Sequence, residues 1–362
     1  MDKLGLYKKA EARAALSLEE GLSLYREAPL NELMELANSI RNRVIPGKKV
    51  GWMIDRNVNI TNICYSFCKF CNFCRKNGAE DGYITSIDQY KEKIDELINL
   101  GGDQLLLQGG MHPDLGLEYY EDLFKQLKKE YPQIKLHSLG PPEVFDLSQK
   151  AGIGIEETLT RLVAAGLESL PGAGGEILVD RVRKLISPAK CNTDEWLDVM
   201  KVAHKMNLPS SATMMFGHVE TDEERIEHML RIRQVQEEKP EGHHGFINFV
   251  PWPFMDEGTR LQRVDNVQNT TNSRDYLRII AIARIMLNNI DNIQASWLTV
   301  GPATGQLALH AGANDLGSIM IEENVVSSAG AQYKMDADGI QKCISEAGFT
   351  PYRRNQLHEN YS

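Results

Sequence analysis

From residue 57 onward the chain repeats one pattern, a short apolar run followed by an amphipathic segment of helical period. The runs are VNIT (58–61), QLLL (104–107), KLHSL (135–139), LESL (167–170), SATMMF (211–216), FINFV (246–250), IQASW (293–297) and SIMI (318–321). Strands separated by helices cannot pair as hairpins; they pair in parallel through crossovers. Eight such units on about 270 residues predict an α/β chain closed into a (β/α)8 TIM-type barrel rather than an open sheet. The intervening helices carry their own start signals, as in SIDQYKEKIDELINLG, with Ser86 as N-cap and Gln89 in the capping-box position, and SRDYLRIIAIARIML, capped by Ser273.

Residues 1–50 read differently. Ser17 and Glu20 form a capping box before GLSLYREA, and LNELMELANSIRNRV follows with apolar residues at three-to-four spacing. The expected organisation is an N-terminal helical extension (1–50), a barrel (51–332) and a C-terminal extension (333–362). PEGHHG (240–245) reads as a surface turn, because the strand-like FINFV follows it directly.

Charge narrows the partners. Forty Lys plus Arg against fifty Asp plus Glu leave a net charge of −10, which disfavours nucleic acid or an anionic membrane. No uncharged run approaches the roughly 18 apolar residues of a membrane span, and the first residues lack a secretory apolar core. A cytoplasmic enzyme of small molecules is expected. In a barrel, reactive groups collect in the loops after the strands' C-terminal ends. There the sequence places CYSFCKFCNFC, QGGMHP, LGPPE, PGAGGE, GHVET and PWPF, all at one mouth.

Four of the six cysteines lie between Cys64 and Cys74, with Cys64, Cys68 and Cys71 spaced C-x3-C-x2-C. In a reducing compartment such clustering points to metal. Three readings fit: a structural zinc, for which one short loop is a cramped cage; a four-cysteine ferredoxin-type electron carrier; and a [4Fe–4S] cluster on three cysteines with one iron open. The sequence C-x3-C-x-F-C (Cys64, Cys68, Phe70, Cys71) resembles the signature of the radical S-adenosylmethionine (SAM) enzymes. That resemblance implies a [4Fe–4S] cluster on Cys64, Cys68 and Cys71, with SAM chelating the open iron, Phe70 against the adenine, and one electron releasing a 5′-deoxyadenosyl radical. Cys74 then reads as a nearby structural thiol.

By the same resemblance, Gln108, Gly109 and Gly110 correspond to the family's Gly-Gly-Glu turn that accepts the methionine ammonium. Here the acid is missing, and QGG alone is equally an ordinary turn. Ser138 and Glu176 resemble by position the residues that contact the cofactor's methionine or ribose; Glu176 also reads as a first-turn acid on the helix EILVDRVRKLIS. His218 in GHVET and His112 in GGMHP are the candidate bases, although a loop histidine is more often structural. Trp252 and Trp297 could wall a substrate pocket or pack the core. Arg56 stands at the wrong end of its strand for binding. Lys69, Arg75 and Lys76 form a basic patch that could dock a flavodoxin- or ferredoxin-type reductant.

The segments PGAGGEILVDRVRKLISPAKC, ATMMFGHVET, FVPWPF, QASW and MIEENVVSSAGA extend the similarity across residues 50 to 332. Together they resemble the radical SAM enzymes of the futalosine pathway of menaquinone biosynthesis, with aminofutalosine synthases and the deazaflavin-precursor synthase subunits as siblings. The resemblance implies a nucleoside-like substrate, dehypoxanthine futalosine. Its ribose C4′ would lose a hydrogen and add to the neighbouring benzoate ring. A non-enzymatic iron–sulfur carrier is the alternative from another class.

Overall fold

The computed structural model describes residues 3–359. Its strands are β1 (Lys49–Met53), β2 (Asp55–Asn59), β3 (Gln104–Gln108), β4 (Lys135–Ser138), β5 (Ser210–Phe216), β6 (Phe246–Pro253), β7 (Asn292–Ile293), β8 (Asp315–Ser318) and β9 (Thr350–Arg353). Every ladder is parallel: β2 with β3 with β4, β5 with β6 with β7, and β8 with β1 with β9. Single bridges join these arcs, His137 to Ser169, Leu170 to Ser210, Gln294 to Asp315 and Arg56 to Ile321. The wall of the predicted (β/α)8 barrel is thereby closed.

The departures from expectation have local causes. The run at 167–170 contributes only bridge residues. Glu168 turns its carboxylate back to accept the Leu136 amide at 3.0 Å, and Pro171, which has no N–H, follows. β2 begins at Asp55, three residues before the apolar run, and β8 at Asp315, also three before. Both openings carry polar side chains, which an apolar pattern passes over. IQASW is strand only at its start; Trp297 already opens the helix Trp297–Val300.

Alternation along each strand divides two environments. On β3, Leu105 and Leu107 are fully buried against the helical layer, where Ile94, Phe124 and Leu147 meet them in one continuous apolar cluster. Each such side chain contributes about 1.5–3 kcal/mol. Leu106 and Gln108 face the barrel interior.

Helices α1 (Lys3–Glu11), α2 (Leu18–Glu27) and α3 (Leu30–Val44) form the N-terminal stretch. The Ser17–Glu20 capping box is present, and α2 and α3 pack on the barrel helices Asp222–Glu238 and Ser273–Met286. Ser86 and Gln89 cap Ile87–Asn99 as expected. The helix Ser273–Met286 is capped instead by Asn272, boxed with Asp275. The C-terminal stretch does not stand apart. β9 pairs with β1 in register, and Arg354 forms a buried bidentate pair with Asp315, at 2.5 and 2.8 Å. Among the described residues no helix is long and apolar enough to cross a membrane.

Candidate active site

The loop after β2 is held open by backbone bonds to its neighbours. The Cys64 amide donates to Arg75 O (2.9 Å), the Tyr65 amide to Met111 O (3.1 Å) and the Lys69 amide to Ile186 O (2.8 Å). The Arg75 guanidinium then donates to the carbonyls of Asn72, Phe73 and Cys74, fixing the loop's return. Cys64, Cys68, Cys71 and Cys74 all line one cavity of about 370 Å³ that runs from the mouth into the barrel. Among the described residues no three His, Cys, Asp or Glu side chains converge on a single-ion site. Four thiols on one cavity wall are donors of the kind that hold an iron–sulfur cluster.

Burial pushes the Cys64 thiol up and the Cys68 thiol to about 11. A hydrogen bond donated by the Cys71 thiol to Cys74, with burial, raises Cys71, while the same bond lowers Cys74. A bound cation reverses such shifts, since thiolate is the ligand form.

Gly110 shows why glycine follows β3. A Cβ there would stand 2.2 Å from Ile63 O and 2.8 Å from Cys64 Cβ, and its amide donates to Thr61 O at 2.7 Å. The turn therefore presses directly on the backbone that carries the first cysteine. Gln108, Gly109 and Gly110 all border the cavity.

Opposite the thiols stand three charged side chains. Lys190 Nζ donates to Glu176 Oε1 at 3.2 Å and lies 5.6 Å from the centre of the Phe70 ring. Burial pulls its pKa down, but Cys68, Glu176 and Glu143 outweigh that and hold it above the ordinary lysine value. Glu176 is not in a helical first turn: the helix begins at Asp180, and Glu176 sits before it at a φ of +33°. That strained backbone is pinned by Arg183, whose guanidinium donates to Gly174 O at 2.8 Å and Cys191 O at 2.6 Å. Glu143, in the first turn of the helix Pro141–Ala151 that follows β4, is pushed by burial to about 7, and its Oε2, like Glu176 Oε2, has no hydrogen-bond partner within the protein.

The other predicted site residues fall elsewhere. Ser138 points out of the barrel and donates to Leu107 O at 3.1 Å; its neighbour His137 takes the inward position. A strand's faces alternate, so a one-residue difference decides which side chain meets the cavity. His218 has no free nitrogen. Its Nε2 donates to Met215 O at 3.0 Å and its Nδ1 accepts from the Val219 amide at 2.8 Å, while burial lowers its pKa. His112 Nδ1 accepts from the Asp114 amide at 3.0 Å, and burial lowers this ring too. Neither histidine borders the cavity. Trp252 and Trp297 do border it. Arg56 pairs with Glu96 and Glu322 at the outer wall. Two members of the basic patch are already paired, Lys69 with Asp265 at 3.0 Å and Arg75 with Asp81 at 2.5 Å. Sequence reasoning missed Glu143 and His137; the segment KLHSLGPPE, at the mouth, was the available signal.

Residues 58–232 match the radical SAM superfamily, and residues 243–362 match the CofH/MqnC C-terminal region. The chain is 43% identical to a cyclic dehypoxanthine futalosine synthase of Streptomyces coelicolor, covering 97% of this chain and 87% of that one. It is 39% identical to a 5-amino-6-(D-ribitylamino)uracil–L-tyrosine 4-hydroxyphenyl transferase of Methanococcoides burtonii, covering 98% of each. In fold it is similar to the crystal structure of methylornithine synthase (PylB), with a TM-score of 0.71 at 19% identity over 97% of this chain and 98% of that one. The chain belongs to the radical SAM superfamily, whose enzymes use a [4Fe–4S] cluster and SAM, in the branch that carries the CofH/MqnC C-terminal region.

Proposed function

We propose that the chain cyclises dehypoxanthine futalosine in menaquinone biosynthesis. The observation that supports this is one cavity holding both sets of groups the reaction needs: thiols and paired charges at its mouth, and the carboxamides of Asn57 and Asn248 farther in, in a chain 43% identical to a synthase of that name. When bound, the cluster and SAM supply a 5′-deoxyadenosyl radical that takes the ribose C4′ hydrogen, so that this carbon can add to the benzoate ring.

Cys64, Cys68 and Cys71 would hold the cluster, with Cys74 beside it. Lys190 would face the carboxylate of the cofactor's methionine moiety, and Glu176 its hydroxyl or ammonium donors. Phe70 offers an aromatic face next to Lys190. Gln108, Gly109 and Gly110 allow close backbone approach. The proton released on rearomatisation is assigned to Glu143, which borders the cavity, has an Oε2 without a hydrogen-bond partner and is pushed by burial to about 7; His137, held by burial at about 3, is a poor base at neutral pH. Enclosure of the cavity by Trp252 and Trp297 keeps water from the radicals. The electron that cleaves SAM is assigned to a flavodoxin- or ferredoxin-type reductant approaching the cysteine loop, which would also take back the electron lost with the proton on rearomatisation.

The test is anaerobic: reconstituted protein with dithionite, SAM and dehypoxanthine futalosine should yield 5′-deoxyadenosine and a product two hydrogens lighter. Unchanged substrate overturns the reading. The 39% identity to the transferase favours a second reading, in which a ribitylaminouracil and tyrosine are joined; those two compounds in the same assay separate the alternatives.

A further inference from the structure

We propose that the middle of the barrel is a subsite for the hydroxyl groups of a sugar or sugar-alcohol chain, anchored by Asn57 and Asn248. This rests on the reading above only in taking the cavity as the substrate's place.

A TIM-type barrel ordinarily fills its centre with branched apolar side chains. Here the central layer is polar. The ladder registers set Asn57 level with Leu106 and Leu106 level with His137 on one side, and Ser211 level with Asn248 on the other. All five border the cavity. Asn57 is 3% exposed and Asn248 5%, yet the Oδ1 of each has no hydrogen-bond partner within the protein. Buried carboxamides left half-satisfied on both sides of a cavity are costly unless a ligand completes them. Asn248 is also aimed: its Nδ2 donates to Gln294 Oε1 at 3.1 Å, which fixes the plane of the amide.

The chemistry of the layer selects the ligand class. A carboxylate would need a cation, but the Arg354 guanidinium at the cavity's edge is spent on Asp315, and Lys190 is at the mouth between two carboxylates. An ammonium group would need an anion; Asp55, two residues before Asn57 on the same strand, is engaged by Ser318 and Gln104 and pushed by burial toward its neutral form, and this layer presents neutral carboxamides, a hydroxyl and an imidazole that burial holds neutral. A hydroxyl both donates and accepts, so it satisfies a carboxamide whichever way that group is turned. Several hydroxyls on one carbon chain meet both walls at once. The ribose of a nucleoside-like substrate and an open ribityl chain share this chemistry.

The experiment measures calorimetric binding of dehypoxanthine futalosine and of 5-amino-6-(D-ribitylamino)uracil to the cluster-loaded, SAM-bound protein. Wild type is compared with Asn57→Leu, Asn248→Leu and Asn248→Asp. Whichever compound wild type binds, each leucine variant should weaken it about tenfold, and Asn248→Asp, which keeps an acceptor oxygen, should stay within about threefold. SAM affinity and substrate-free 5′-deoxyadenosine formation should stay within about twofold, showing the mouth and fold intact. Leucine variants that bind like wild type overturn the subsite, as does a parallel loss of SAM affinity, or wild type binding neither compound. If wild type binds a compound without converting either, and leucine weakens that binding, the subsite stands while the proposed reaction falls.

Discussion

The mouth of the cavity and its middle are both polar and solve burial in opposite ways. At the mouth, Lys190 is set among Glu143, Glu176 and Cys68, so charge answers charge in a largely buried setting. A few residues deeper, Asn57, Ser211 and Asn248 carry no charge, and two of their oxygens are left without partners. The difference teaches that the two ends were built for different guests. Paired charges suit a zwitterionic amino-acid moiety, and neutral half-satisfied amides suit hydroxyls. The mouth is drawn mainly from the stretch that matches the radical SAM superfamily, whereas Asn248, Trp252 and Gln294 come from the stretch that matches the CofH/MqnC region.

The strongest way to break the contrast is to remove the mouth's metal chemistry. Cys68→Ala should bring iron and sulfide content to background and abolish 5′-deoxyadenosine formation, while far-ultraviolet circular dichroism stays unchanged. A variant that still holds its iron would show that Cys68 is not a ligand. Next, Lys190→Met leaves two buried carboxylates uncompensated. The apo chain should lose about 3 kcal/mol in urea unfolding, and SAM should bind about 100-fold more weakly by calorimetry. Unchanged SAM affinity would mean that charge at the mouth serves the fold alone.

A milder effect sharpens the same side by pH. The Glu143 carboxyl is raised from 4.5 to about 7, so its protonated form favours folding. That contribution is complete below pH 4.5 and is lost as the pH rises through about 7. Glu143→Gln is neutral throughout, so it should gain about 2 kcal/mol on wild type between about pH 5 and pH 8, allowing for partial exposure. Urea midpoints of the apo proteins read this directly, and a pH-independent difference would contradict it. Smallest of all, Cys74→Ala should keep its cluster and activity within about twofold, because three thiolates suffice; loss of the cluster would make Cys74 a fourth ligand.

The sequence shows some of this plainly and hides the rest for physical reasons. The barrel follows from eight alternations of period, and the cysteine loop from covalent spacing, both of which are local. Strand faces are harder. In KLHSL both sides are covered, by helices outside and by a polar cavity inside, so hydropathy cannot say whether His137 or Ser138 turns inward. The run at 58–61 starts three residues after β2 does, and SIMI meets β8 only at Ser318, because these strands open on Asp55 and Asp315, polar where a barrel wall is usually apolar. His218 looked like a base because its loop lies at the mouth, but its bonds to Met215 and Val219 are made within its own turn. Lys190 and Glu143 are 47 positions apart in the chain, and only the folded barrel brings them together.

The seam where β9 lies against β1 joins residues some 300 positions apart, Lys49 beside Thr350 and Trp52 beside Arg353. Contacts of such separation are the slowest that a chain can make, since the whole intervening length must already be ordered for them to be worth closing. Closing this edge therefore ties the two ends of the described chain together, and the buried Arg354–Asp315 pair beside it makes the last strand a clasp on the barrel wall rather than a trailing tail.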